Sequence, residues 1–238
     1  MRLTKSLYII ATVAAIAPLA SSYAENSFTI TTDHIYGHKA GMALTFDVIR
    51  PADNANGAGL LYMVSRGWVS NYFDLDKAMA ASEKQGGRFF SLIERGYTLF
   101  MVRHGSSPYF KAPDAVDDVR LALRYIRYHA SKFDVNPERL GVFGNSAGGH
   151  LSLMLGTTSD DGDAAAEDPI GRTPTKVAAV VAYYPPVDLR RSSPPSAHTS
   201  PLNFDTDLQD SVSPILHVTP DDPPTLLIHG DKDASVAL

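Results

Sequence analysis

Residues 139–155 read RLGVFGNSAGGHLSLML. Arg139 to Phe143 reads as a strand, since Leu140 to Phe143 is a short, nearly unbroken apolar run, the pattern of a strand covered on both faces. Gly149 to Leu155 reads as a helix, so Gly144-Asn145-Ser146-Ala147-Gly148 falls where strand hands over to helix. A Gly-x-Ser-x-Gly run in that context is the sequence form of a sharp turn that holds a serine hydroxyl clear of the sheet. Gly144 and Gly148 have a mechanical reason to flank it. The serine takes a strained backbone conformation, and neighbours without side chains let strand and helix approach closely. The start of the helix also presents backbone N–H groups, that of Ala147 among them, to a developing negative charge. Ser146 is therefore the candidate nucleophile.

Other apolar runs supply the rest of a sheet. Leu60–Val64, Tyr97–Val102, Val177–Tyr184 and Thr225–Ile228 have the same continuous character and are expected as parallel strands covered on both faces. Phe28, Ile30 and Thr32, then Met42, Leu44, Phe46 and Val48, alternate instead with more polar residues, which predicts an opening hairpin of half-buried antiparallel strands. A helix is expected over Asp114–Lys132, where Val116, Val119, Leu123, Ile126, Ala130 and Phe133 form one stripe. A second helical stretch, Asp74–Arg95, is broken at Gly86-Gly87 and stopped by Gly96. Strands alternating with helices after an antiparallel start give an α/β fold, a mostly parallel sheet with helices on both faces.

At 238 residues and 44% hydrophobic content, the chain has enough apolar material for one substantial core. Arg2 and Lys5 precede an apolar run from Leu7 to Leu19, and Ser22-Tyr23-Ala24 has small residues where signal peptidase cleaves. Residues 1–24 are expected to be a signal peptide of a secreted or periplasmic protein, leaving 25–238 as the catalytic domain. The run is shorter than the roughly 18 to 20 residues that span a bilayer, so no stable membrane anchor is expected after cleavage. Cleavage takes the formal net charge from −5 to −7, an acidity that argues against nucleic acid as a partner. No cysteine is present, which excludes disulfides, zinc–thiolate sites and a cysteine nucleophile.

Acyl transfer needs a second oxyanion donor from the loop after the third strand. The main-chain N–H groups of Arg66 or Gly67 are the candidates beside that of Ala147, unless Gly67-Trp68 only turns the chain to bury Trp68. The acid should follow a late strand, and Leu226–Asp233 ends one with two carboxylates. Asp233 is the expected acid and Asp231 a turn former bonded to local backbone. Ser159–Pro174 is acidic, but its spacing does not fit an EF-hand, and a solvated loop is expected. Arg190–Asp210, rich in Ser and Pro, reads as a cap over the site or a surface connection.

From Gly96 to Val236 the chain resembles the esterase/lipase branch of the α/β-hydrolase superfamily. That branch holds hormone-sensitive-lipase-like, carbohydrate acetyl and feruloyl esterases, with prolyl-oligopeptidase-like enzymes as relatives. The resemblance lies in DAVDDVRLALRYIRYHA (114–130), VNPERLGVFGNSAGGHLSLMLGT (135–157), SPILHVTPDDPPTLLIHGDKDASV (213–236) and, more weakly, SRGWVS (65–70). SRGWVS departs from the family's HGGGW, with Ser65 and Arg66 where glycines are usual. The family's HGxxD selects Asp233, and its general base is a histidine some tens of residues later.

All eight histidines precede Asp233: His34, His38, His104, His129, His150, His198, His217 and His229. In this fold the order is Ser, Asp/Glu, His. The chain is therefore expected to be truncated before its last strand, last helix and base, to be inactive alone, and to leave its seventh strand an unpaired edge without cover. His104, His150 and His229 are the substitutes to weigh. The resemblance implies a carboxylic-ester hydrolase for a small-molecule or carbohydrate acyl ester, needing neither metal nor organic cofactor. A prolyl-oligopeptidase-like peptidase and a non-catalytic hydrolase-fold binding protein are the alternatives.

Overall fold

Ala40 and Gly41, both at positive φ (47° and 77°), make the two-residue turn that folds β1 (Phe28–Lys39) antiparallel onto β2 (Met42–Pro51). In this computed structural model, which describes residues 27–191 and 200–236, the hairpin opens a seven-stranded sheet. The apolar runs supply β3 (Gly59–Met63), β4 (Thr98–Val102), β5 (Leu140–Asn145), β6 (Ala179–Tyr183) and β7 (Thr225–Ile228). The strand order is β1-β2-β4-β3-β5-β6-β7, antiparallel through β2/β4 and parallel thereafter. The expected signal peptide and His198 lie outside the described residues.

Alternation along β4 divides the core. Phe100 and Val102 face a cluster with Val116, Val119, Leu123 and Ile126 of α3 (Ala112–Tyr128) and Leu151 and Met154 of α4 (Ala147–Thr157). Leu99 and Met101 face Leu75 and Met79 of α1 (Leu75–Lys84) and Ile93 of α2 (Arg88–Glu94). Two helical layers thus sandwich the sheet. Gly86 and Gly87 separate α1 from α2, and Asp74 caps α1 by accepting the Lys77 N–H at 3.0 Å.

Several expectations need correction. The helix expected from Asp114 begins at Ala112, because Asp114 caps it from inside by accepting the Lys111 N–H at 2.9 Å. It ends at Tyr128, and Ala130–Phe133 continue as a 3₁₀ turn. The second strand is not half-buried: Asp47 and Ile49 are buried along with Phe46 and Val48, because β2 lies inside the sheet. By contrast β7 is the uncovered edge strand expected of the seventh strand, with Leu226, Leu227 and Ile228 exposed.

The acidic segment is the solvated loop expected, exposed at Asp161, Asp163, Glu167 and Asp168, and it is anchored at its start. Asp160 takes a two-pronged contact from Arg124 at 2.6 and 2.7 Å, and accepts the Gly162 N–H. In the Ser- and Pro-rich segment, Pro201 O accepts the Ala112 N–H at 2.9 Å, fixing the chain to the start of α3.

Candidate active site

Ser146 joins β5 to α4 with φ 51° and ψ −120°, a conformation that costs a non-glycine residue on the order of 1–3 kcal/mol. Its own N–H donates to Tyr183 O at 2.9 Å, which pins the turn to β6. The flanking glycines answer to contact. A Cβ on Gly144 would sit 2.4 Å from the Gly148 carbonyl, and one on Gly148 would sit 2.5 Å from Met63 O. α4 is buried from Ala147 to Gly156, so its N-terminus is anchored by packing behind the serine.

Beside it, Arg66 and Val69 exchange N–H···O bonds of 2.9 and 3.1 Å around a turn whose central residues, Gly67 and Trp68, have φ of 57° and 54°. This corrects one expected donor. The Arg66 N–H is spent on Val69 O, which leaves Gly67 as the candidate from this loop. The turn also does what its alternative reading expected, since Trp68 is buried in the core. Trp68 Nε1 donates to His150 Nδ1 at 3.2 Å, and His150 Nε2 lies 2.8 Å from Val212 O. With Nδ1 accepting, Nε2 carries the proton and donates to that carbonyl. Burial pushes the His150 pKa down to about 4, so the ring is a neutral strut between the turn and α4 with both nitrogens occupied.

Asp233 follows β7 and shares with Ser146 a cleft of about 470 Å³ also lined by Ser65, Arg66, Tyr184 and Ser235. Asp233 Oδ1 accepts the N–H groups of Ser235 at 2.8 Å and Val236 at 3.0 Å. The N–H groups of Val236 and Ser235 hold its carboxyl below the ordinary value. The local backbone bonds expected of Asp231 therefore belong to Asp233. Asp233 Oδ2 has His229 Nε2 at 3.7 Å, and that ring is turned to Val236 O at 2.8 Å.

Among the described residues no histidine lines the cleft. His34 contacts Thr31 and stacks on Phe46, His129 packs on Tyr125, and His217 bonds Asp210 O. His104 stands beyond β4, two strands from β5, bonded to Ser65. No described residue of the Ser- and Pro-rich segment reaches the cleft. Sequence reasoning missed Tyr184, at φ 39°, whose hydroxyl accepts from Asn145 Nδ2 at 2.8 Å beside the serine. The available signal was position: Asn145 precedes Ser146, and Tyr184 directly follows the neighbouring strand.

The family model described as BD-FAE matches residues 46–238. Among curated proteins the chain is similar to Esterase LipC of Mycobacterium tuberculosis, 31% identical over 61% of this chain and 38% of that protein. It is also similar to Probable carboxylic ester hydrolase LipM of the same organism, 27% identical over 61% of this chain and 36% of that protein. The chain thus matches well under half the length of these relatives. Among solved structures, a truncated form of carbohydrate esterase from gut microbiota has TM-score 0.69 at 27% identity, covering 90% of this chain and 81% of that one. An acetyl ester-xyloside bifunctional hydrolase from Caldicellulosiruptor lactoaceticus has TM-score 0.70 at 22% identity, with 87% and 76% covered, and shares the fold.

Proposed function

The chain belongs to the BD-FAE family, in the esterase branch of the α/β-hydrolases, and from that membership we propose that it is a carboxylic-ester hydrolase working through an acyl-enzyme on Ser146. The observation that carries the reading is the placement of Ser146. It stands at a positive-φ handover from β5 to α4, in the same cleft as Asp233.

In the proposed reaction Ser146 Oγ attacks the ester carbonyl and its proton passes to an imidazole. The N–H groups of Ala147 and Gly67 receive the oxyanion, and the protonated imidazole then delivers the proton to the leaving alkoxide. Water releases the acyl group by the same steps. Asp233, with Oδ1 held by its own loop, offers Oδ2 to orient the imidazole. The imidazole is proposed to come from a histidine later in the order than Asp233. Loss of a triad histidine costs on the order of a million-fold in turnover, so the Ser146 route is expected to be nearly inert in residues 27–236 alone. The substrate is proposed to be a small-molecule or carbohydrate acyl ester, a choice supported by the hydroxyls of Ser65, Tyr184 and Ser235 around the cleft. Residues 1–24 are proposed as a signal peptide, and amino-terminal sequencing of exported protein should then begin near Glu25; an intact Met1 in the exported form contradicts this.

The test supplies the base from solution. Imidazole added to the chain should raise p-nitrophenyl acetate hydrolysis above the imidazole-only rate by about 10²-fold, the scale of a general base. The increment should vanish in Ser146→Ala and fall in Asp233→Ala. An equal increment in wild type and Ser146→Ala rejects the assignment.

A further inference from the structure

The parallel register pairs Met63 of β3 with Val102 of β4. Carried two residues past both strands, it sets Ser65 beside His104 on one face. Ser65 Oγ and His104 Nε2 are 2.8 Å apart, and His104 Nδ1 is 2.8 Å from Gly105 O. A carbonyl oxygen only accepts, so the proton is on Nδ1, Nε2 is the acceptor, and the Ser65 hydroxyl donates to it. Asp118 of α3 accepts the Gly105 N–H at 2.8 Å and so fixes the peptide that orients the ring. His104 is buried, and burial lowers its pKa, which keeps it a neutral base. Hydroxyl, imidazole and an acceptor behind the imidazole fill the three roles of a serine triad, with a main-chain carbonyl in the carboxylate's place. Ser65 opens onto the cleft that holds Ser146.

We propose that Ser65 is a second nucleophilic hydroxyl of this cleft, activated by His104 and reactive toward acyl and phosphonyl electrophiles. Ser65 Oγ forms a bond to the carbonyl carbon or phosphorus as its proton moves to His104 Nε2. The alkoxide or fluoride leaves with its bonding pair; an alkoxide takes the proton back from Nε2, and with fluoride the imidazolium releases it to water. Ser65 lines the same cleft, but neither it nor His104 takes part in the proton relay of Ser146.

The experiment treats the full chain with a fluorophosphonate and maps the adduct by peptide mass spectrometry. An adduct at Ser65 is expected in wild type and in Ser146→Ala, and none at that position in Ser65→Ala. His104→Gln should slow Ser65 labelling by about 10²-fold, the scale of a general base. An adduct confined to Ser146, or a folded Ser146→Ala chain that takes no label at Ser65, overturns the proposal and leaves the esterase reading standing. Unchanged labelling in folded His104→Gln overturns it too, because the bond to His104 then only ties two loops together. If His104→Gln does not fold, Ser146→Ala gives the decision. An adduct at Ser65 supports the proposal whatever happens at Ser146.

Discussion

Gly148 sits where one added methyl group meets a main-chain oxygen, Met63 O, at 2.5 Å. Main chain in a central strand cannot step aside, so Gly148→Ala is expected to destabilise the protein by about 1–3 kcal/mol, read as a lower denaturant midpoint at unchanged m. His150 makes a second residue-level prediction, through protons. Its pKa falls from 6.5 in the unfolded chain to about 4 in the folded one. Between those values the unfolded state holds more protons, so stability rises with pH. The contribution is fully present above 6.5, is lost as pH falls toward 4, and amounts to about 3 kcal/mol. His104, whose pKa is also lowered by burial, acts in the same direction. In His150→Gln the slope of stability between pH 4 and 6.5 should shrink, leaving the part due to His104; an unchanged slope contradicts the assignment.

Among the elements, β2 and β4 are joined by side chains as well as by their ladder. Arg103, just past β4, pairs with the fully buried Asp47 of β2, with Nη1 donating to Oδ1 at 3.0 Å. Removing one partner strands a buried charge, so Asp47→Asn should cost about 3–5 kcal/mol in urea unfolding. Because Arg103 precedes His104, the same variant should also loosen the loop that holds Ser65. The elements themselves were largely legible: the apolar runs became β3 to β6, and the Gly86-Gly87 break and Gly96 stop fell where expected. Ser146 and its glycines were readable because close approach leaves a mark in composition. Bonds made across the sheet leave none. The Ser65–His104 contact depends on the register of two strands 39 residues apart, and the loss of the Arg66 N–H to Val69 depends on turn geometry. Whether Asp231 or Asp233 holds the loop backbone depends on two carboxylates in one turn, which a pattern of residue types does not separate.

For the molecule as a whole, the exposed edge is the weak place. Leu226 and Leu227 of β7 are each 55% exposed, on a strand whose outer row of N–H and C=O groups has no strand partner among the described residues. Such an edge pairs with other chains. Sedimentation velocity is expected to show concentration-dependent association that Leu227→Lys reduces; a monomer at every concentration contradicts this. The account of function depends most on the bond that Ser146 forms. Acid-quenching the chain during p-nitrophenyl acetate hydrolysis in the presence of imidazole, then mapping acetylated peptides, reads that bond directly. The account predicts an acetyl group on Ser146 that is absent in Ser146→Ala; ester consumed in a Ser146-dependent way while Ser146 stays unmodified at every quench time would contradict it.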